Sequence, residues 1–469
     1  MVFDALKERG ILLRNAPHLV KKQSFIIPCY TALEKIKYFI GLKVYDWLAG
    51  PLSFGSSKYI SSKKLLELFP NLDSKNLKGG VTYFDGQFDD ARLAVNLAQT
   101  AAEQGAVVLN YCKVVSLEKE NGKIKAVTAI DEEEQKQYHL KAKAVINATG
   151  VFVDDVLKMD EENALPLVRP SQGVHIVVNK SFLAGSNSLL IPKTPDGRVL
   201  FAVPWHEHVL IGTTDTPLKQ HSLEPRALEQ EIDFILETIA QILKTPPAKK
   251  DILAVFAGLR PLAASQNNDE KTKEISRDHK IIVNASGLVT ITGGKWTTYR
   301  KMAEDTLSKI MKRKMLPEKK CITRDLKIHG YALPQDAPDS LSFYGADKKE
   351  LAQLMAINKS WAEPLAQDTD ILIGQVIWAV KKEMARTVED VLARRTRLLF
   401  IDARLANKLA PEVAEIMMKE LGRDEVWKEK QIESFSKLAE GYVLKSNLNL
   451  TSGAFEENTT LEIKKGISN

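Results

Sequence analysis

The chain has little of what several large functional classes require. Its 469 residues include only three cysteines, Cys29, Cys112 and Cys321. They lie far apart, form no CxxC pair and leave one unpaired in any disulfide scheme, which argues for a reducing compartment and inert thiols. No GxGxxG, GxxxxGK[ST] or HExxH occurs, and no His/Cys cluster has metal-ligand spacing. A P-loop NTPase and a zinc enzyme are therefore poor readings. No apolar run approaches the ~18 residues of a spanning helix, and no charged-then-apolar leader opens the chain. The formal charge of +6 is the small remainder of 66 basic and 60 acidic side chains, with no basic block. Nucleic acid is not an expected partner.

What is present reads as a soluble globular protein of two or three domains, with 44% apolar and 27% charged residues. The stretch DALKERGILLRNAPHL reads as a helix already under way at Met1. In YTALEKIKYFIGLKVYDWLAG (30–50), Leu33, Ile36, Phe39, Ile40, Val44 and Trp47 mix with Lys35, Lys37 and Lys43. That pattern suits a core-facing helix or one lying on anionic lipid. Asp89 or Asp90 caps a helix carrying Leu93, Leu97 and Ala101 on one face and closed by Gly105. Asn121-Gly122 marks a hairpin, and the strand KAKAVINATG runs into Ala148, Thr149 and Gly150.

From about 168 the texture changes to closely spaced strands, predicting a mostly antiparallel sheet. A polar helix over 224–243 leads to DILAVFAGLRPL and then to a strand, glycine and helix sequence, LVTITGGKWTTYRKMAEDTL. Residues 335–444 are almost wholly helical by pattern, including the long stretch GQVIWAVKKEMARTVEDVLARRTRLLF. The tail from 445, rich in Asn, Ser, Thr and Glu, is expected to be disordered.

Gly293-Gly294-Lys295 with Thr297 and Thr298 makes either a tight turn or a helix N-terminus where backbone N–H groups and a cation meet an anionic ligand. His175 follows a glycine at the start of a strand and is either a structural hydrogen-bonder or a proton-handling group. Arg260, wedged between an apolar segment and a proline, is paired with a carboxylate or forked onto a ligand. Arg277, beside Asp278, is a surface ion pair or a second fork. Two arginines and a lysine within ~35 residues suit a small dianion, because bidentate forks fit phosphate oxygens.

Together FDDARL, NATG, GVHIVV, FAVPW, IGTTD, AGLRPL, ISRDH, GGKWTTYRKMAE and EMARTVEDVLARRTRLLF occur in order and resemble the FAD-dependent, respiratory glycerol-3-phosphate dehydrogenases. The resemblance runs from about residue 1 to about 444. It implies an α/β FAD-binding domain of glutathione-reductase type, N-terminally truncated, a mixed-sheet substrate domain and a C-terminal all-α domain. The expected boundaries are 1–167 for the partial FAD-binding domain with inserted helices, 168–256 for the substrate domain, 257–330 for a return to the FAD-binding domain and 331–444 for the helical domain. The implied activity is oxidation of sn-glycerol 3-phosphate to dihydroxyacetone phosphate, with electrons passing to quinone. A glycerophosphate oxidase using dioxygen and an inactive binding module are the alternatives.

The resemblance assigns His175, Arg260 and Lys295 to catalysis and, with Arg277, to the substrate. It assigns FAD to Val114, Val115, Ala148, Thr149, Gly150, Gly258, Gly293, Gly294, Lys295, Thr297 and Thr298. It leaves a homodimer open and implies a cytoplasmic location, with a peripheral contact on the inner face of the cell membrane also open. The family's GxGxxG strand, which seats the FAD pyrophosphate, has no counterpart here, so this polypeptide is expected to hold FAD weakly or not at all.

Overall fold

A computed structural model describes residues 2–194, 197–263, 278–334 and 339–444. The chain begins with α1 (Val2–Asn15), β1 (Lys21–Cys29), α2 (Ala32–Ala49), β2 (Lys58–Ile60), α3 (Ser62–Leu68), β3 (Gly79–Gln87) and α4 (Asp90–Glu103). A meander follows, β4 (Cys112–Glu120), β5 (Lys123–Asp131) and β6 (Gln137–Lys141), then β7 (Val145–Asn147) and α5 (Val153–Asp160). Next come β8 (Val168–Asn179), β9 (Ser188–Ile191), β10 (Leu200–Trp205), β11 (His208–Gly212), β12 (Thr216–Pro217) and α6 (Glu229–Ala240). The chain returns through β13 (Ile252–Ala263), β14 (His279–Val283), β15 (Leu288–Gly293) and α7 (Tyr299–Lys312). It ends in α8 (Lys348–Ile357), α9 (Ile373–Lys382), α10 (Leu398–Ile401), α11 (Ala403–Leu421) and α12 (Glu425–Ala439). The tail expected to be disordered lies outside the described residues, as does Arg277.

Nine strands form one sheet in the order β12, β8, β11, β10, β9, β1, β3, β2, with β13 along the other edge of β8. This corrects the expected division in two places. Strands β1, β2 and β3 lie inside the span expected to bind the cofactor, yet they extend the sheet that the expected division gives to the substrate domain, β1 pairing in parallel with β9 at Phe25 and Ile26. Their signal is the apolar run SFIIPC, buried on both faces: Ile26 faces Leu65 of α3, while Phe25 and Ile27 meet Tyr38 and Leu42 of α2. The boundary at 256 also falls within one continuous strand, because β13 pairs with β8 from Ile252 to Ala263.

Alternation along the sheet decides which layer covers each face. Val174, Ile176 and Val178 bury against α6, whereas Val177 and Ala254 face the C-terminal helices. A second sheet of β14, β15 and β7 has β15 and β7 parallel, and the β4–β5–β6 meander forms a third. Asn121 and Gly122, both at positive φ, make the turn the sequence predicts.

Local chemistry explains the element ends. Asp89, not Asp90, caps α4, accepting from Arg92 N at 2.9 Å. Thr31 and Glu34 cap α2 reciprocally, and Gly50 at φ +51 ends it ahead of Pro51. The long apolar stretch after Gly374 is not one helix: α9 stops at Lys382, and Met384 takes φ +58. The reason is Glu383, which turns inward to an ion pair with Arg92 of α4.

His329 ties this helical region to α4, bridging Glu103 at 2.5 Å and Asp347 at 2.8 Å. The hydrogen bond to Asp347, with the second to Glu103, raises its pKa from 6.5 to about 9 against the opposing effect of burial. A raised pKa contributes stability that is full below pH 6.5 and lost as pH climbs through about 9. The difference in thermal midpoint between wild type and His329→Gln should therefore be largest near pH 6 and shrink steadily toward pH 9.5.

Candidate active site

Strand register builds the site. On the face of β8 that meets the C-terminal helices, Ser171, Gly173 and His175 stand opposite Arg260, Gly258 and Phe256 of β13. His175 also stands opposite Gly212 of β11. Between His175 and Arg260 the two strands thus present paired glycines, Gly173 and Gly258, over four strand residues, about 13 Å. Space is open at Gly258, where nothing lies within 4 Å of the position a Cβ would take. At Gly173 a Cβ would collide with the Arg260 guanidinium, which folds over it.

Arg260 is held before any ligand arrives. Its Nη2 donates to Thr213 Oγ1 at 3.0 Å and to the Thr214 carbonyl at 3.1 Å, and its Nη1 reaches Asp215 at 3.4 Å. Asp215 also accepts from the Ser171 hydroxyl. Of the two sequence alternatives for Arg260, the structure shows the carboxylate partner, Asp215. His175 is placed differently. Phe256 stacks on its ring, centroids 5.6 Å apart and planes 20° apart, and a Cβ at Gly212 would collide with its other side. Its ring nitrogens make no hydrogen bond among the described residues. Burial, aided by the Arg260 charge, lowers its pKa to about 4, so the imidazole is neutral at physiological pH.

A second group of predicted residues gathers at the end of β13. Gly293 and Gly294 take φ of +75° and +78°. A Cβ on Gly293 would lie 2.7 Å from the Asp278 carbonyl oxygen and 3.5 Å from Ala263 Cβ, so the turn demands glycine and abuts the last residue of β13. Beyond it Thr298 Oγ1 donates to the Lys295 carbonyl at 3.0 Å, with Thr297 within the same short turn ahead of α7. Lys295 is exposed, and its ammonium has no carboxylate partner among the described residues. Ala148, Thr149 and Gly150 leave β7, the neighbour of β15, and the turn Gly150–Phe152 packs on both β13 and β15.

Strand β13 thus joins the two groups, with Gly258 and Arg260 mid-strand and the glycine turn at its end. No contact joins Lys295 to Arg260 or His175 among the described residues. Val114 and Val115 stand apart, on β4. Their sheet meets the β14–β15 hairpin at its far end, where Ile124 N donates to the Ser286 carbonyl at 3.0 Å. Gly173, Gly212, Thr213, Asp215 and Phe256 were not singled out from sequence. Their signal was glycine at alternate positions of apolar strands, and a Thr-Thr-Asp that follows a strand.

FAD is the cofactor the resemblance implies, and the residues at the glycine turn fit its flavin end. Gly150 at φ +63 and Gly258 both leave open space where a side chain would stand. Thr292 Oγ1, just beneath the turn, is buried with no hydrogen-bond partner.

A parallel strand pair ending in small residues is set against a mostly antiparallel sheet with paired glycines, and the arrangement is matched by an FAD-linked oxidoreductase fold. Residues 1–300 match the family described as FAD dependent oxidoreductase, and residues 289–431 match the C-terminal domain of alpha-glycerophosphate oxidase. The chain is 35% identical over 489 residues to the mitochondrial glycerol-3-phosphate dehydrogenase SDP6 of Arabidopsis thaliana, covering 97% of this chain and 77% of that one. It is 37% identical over 465 residues to the mitochondrial glycerol-3-phosphate dehydrogenase of Homo sapiens, covering 93% of this chain and 64% of that one. The FAD-complexed glycerol-3-phosphate dehydrogenase of Bacillus halodurans superposes with a TM-score of 0.75 at 27% identity, covering 97% of this chain and 87% of that one. The chain belongs to the family of FAD-dependent glycerol-3-phosphate dehydrogenases.

Proposed function

We propose that the protein oxidises sn-glycerol 3-phosphate to dihydroxyacetone phosphate and delivers the electrons to a quinone. The observation that carries the reading is the space left open over Gly258, beside a pre-held guanidinium that folds over Gly173 and a neutral imidazole. That slot suits a short polyol phosphate: Arg260 holds the phosphate or the developing carbonyl oxygen, while His175 takes the proton of the C2 hydroxyl. Lys295, its charge unmatched by a carboxylate, polarises the same oxygen. Arginine remains protonated and cannot be the base. Residues Ala148–Gly150, Gly258 and Gly293–Thr298 would hold the flavin end of FAD, which when bound supplies the two-electron acceptor. Orientation and fixed charge are this chain's own contribution.

Anaerobic turnover of the flavin-loaded protein with glycerol 3-phosphate and a short-chain quinone tests the reading. Quinone reduction that depends on glycerol 3-phosphate supports it. Peroxide formed at a comparable rate in air identifies the oxidase instead, and a chain that takes up no flavin identifies a binding module.

Helix α2 supplies the surface for a quinone-bearing membrane. Leu33, Ile36, Ile40, Val44 and Trp47 form one exposed stripe, from 50% to 79% accessible, opposite the half-buried Tyr38 and Leu42. Lys35 lies over the Tyr59 ring and Lys43 over Phe39, with Lys37 on the same helix, so cations flank the stripe. Among the described residues no helix is long and apolar enough to cross a membrane. A peripheral contact with anionic lipid follows from that chemistry. Cosedimentation with phosphatidylserine vesicles should fall at least about 10-fold in Trp47→Ala/Leu33→Ala, since one fully buried apolar side chain, at about 1.5–3 kcal/mol, already exceeds the 1.36 kcal/mol of a tenfold change. Equal binding of the variant and wild type would remove α2 from the interface.

A further inference from the structure

Among the described residues the slot's imidazole is held by packing, and that packing is backed by the other end of the chain. Phe256, stacked on His175, receives the edge of Phe400 on α10, centroids 4.9 Å apart and planes 89° apart. Phe400 in turn meets Tyr442 at 5.4 Å and 89°. The Arg397 guanidinium lies 4.5 Å from the centre of the Phe400 ring. Arg397 is fixed to the start of α4, with Nε 3.3 Å from Asp89 and Nη2 3.0 Å from Asp90. Its backbone takes φ +66, a conformation that non-glycine residues adopt rarely and only where surroundings enforce it.

We propose that Phe256 and Phe400 are positioning residues for His175, so that the C-terminal helical region and the start of α4 together set the imidazole's orientation and its exclusion from water. The proposal rests on the reading that His175 serves the substrate slot. Three physical points support it. Among the described residues no hydrogen bond fixes the ring, and the stacked neighbour is an orienting force on it. Phe256 is itself only partly buried and packs in the cluster formed by the C-terminal helices, so its own position depends on Phe400. Asp89, held down to about 2 by His206 and Arg397 despite its burial, stays ionised across the working pH range and keeps Arg397 clamped.

The charged group that acts on His175 is Arg260, on the strand that carries Phe256. Phe256, Gly212 and Phe400 bring no charge to it. Behind Phe400 lie Arg397 with Asp89 and Asp90, and Tyr442 donates to Glu224 at 2.7 Å. A change at Phe400 should therefore reach His175 through packing and hydration, leaving the charges in place.

The test uses ring-labelled histidine and needs no cofactor. In the wild type, the carbon-bound ring proton signal of His175 should not titrate between pH 5 and 8. Phe400→Ala should move its titration upward by a unit or more and broaden the signal, while exposed His139 stays unchanged. Phe400→Tyr should restore wild-type behaviour. Phe256→Leu, which keeps apolar volume but loses the ring face, provides the same reading if the alanine variant unfolds. A His175 titration superimposable on wild type in Phe400→Ala or Phe256→Leu overturns the proposal. Glycerol 3-phosphate binding by His175→Asn is measured separately. If that variant binds as tightly as wild type while Phe400→Ala still shifts the titration, the packing coupling stands and the substrate reading falls.

Discussion

An Arg260→Gln variant should lose about 10²- to 10⁴-fold in kcat/KM for glycerol 3-phosphate while unfolding near the wild-type temperature. The size follows from two charge-assisted hydrogen bonds at about 1.5–3 kcal/mol each, with each 1.36 kcal/mol giving a factor of ten. The fold should tolerate the change. The arginine side chain is 30% exposed, and the Ser171 hydroxyl still donates to Asp215 when the guanidinium is gone. Arg260→Lys makes the sharper comparison: it keeps the charge beside Asp215 but loses the planar fork. If the fork matters, Lys should recover less than a tenth of the wild-type value; if only charge matters, it should recover most of it. The pH profile is a second check. With the His175 pKa near 4, the acid limb of kcat/KM should sit below pH 5 and stay there in Arg260→Lys. An acid limb near 6.5 would mean that a different, solvated group takes the proton. Equal activity of Arg260→Gln and wild type would empty the slot of its proposed role.

How far the sequence revealed this site depended on whether chemistry was written locally. Gly293 and Gly294 could be read as a close-approach turn because paired glycines between an apolar strand and a helix have few other uses, and both take positive φ. The partner of Arg260 could not be read. Asp215 and Thr213 lie 45 and 47 residues away and reach it only through the pairing of β13 and β12 with β8. The glycine pair was hidden for the same reason: Gly173 and Gly258 become neighbours only once register is fixed. Strand β1 was overlooked because KKQSFIIPC does not alternate, and a strand covered on both faces reads like a short buried helix segment. The break after Lys382 was missed because helix propensity continues through EMARTVEDVL. Tertiary pairing of Glu383 with Arg92 outweighs it.

That pairing sets the other large expected effect. Glu383→Gln should destabilise the C-terminal helical region by about 3–5 kcal/mol, the range for removing one partner of a buried ion pair. Both side chains are nearly sealed, 4% exposed for Arg92 and 1% for Glu383. Glu383 Oε1 also accepts from Trp378 Nε1 at 3.1 Å, and Arg92 Nη2 donates to the Arg395 carbonyl at 3.2 Å. The rings of Phe343 and Tyr344 lie 5.0 and 4.8 Å from the guanidinium, which leaves no water to compensate a lost carboxylate. The helical region's melting transition should drop by roughly 12–20 °C, at about 4 °C per kcal/mol, the value where the ranges for smaller and larger domains meet. The cause is an unpaired buried charge, not lost contact area, and the double variant separates the two. Arg92→Met/Glu383→Leu removes both charges at similar volume and should recover most of the loss, whereas additive losses would mean that the pair is worth more than its desolvation costs. Because α4 begins at Asp89 and Asp90, the two carboxylates that clamp Arg397, loosening the Arg92 anchor should also free Phe400. The single variant should then move the His175 titration in the same direction as Phe400→Ala, and the double variant should return it.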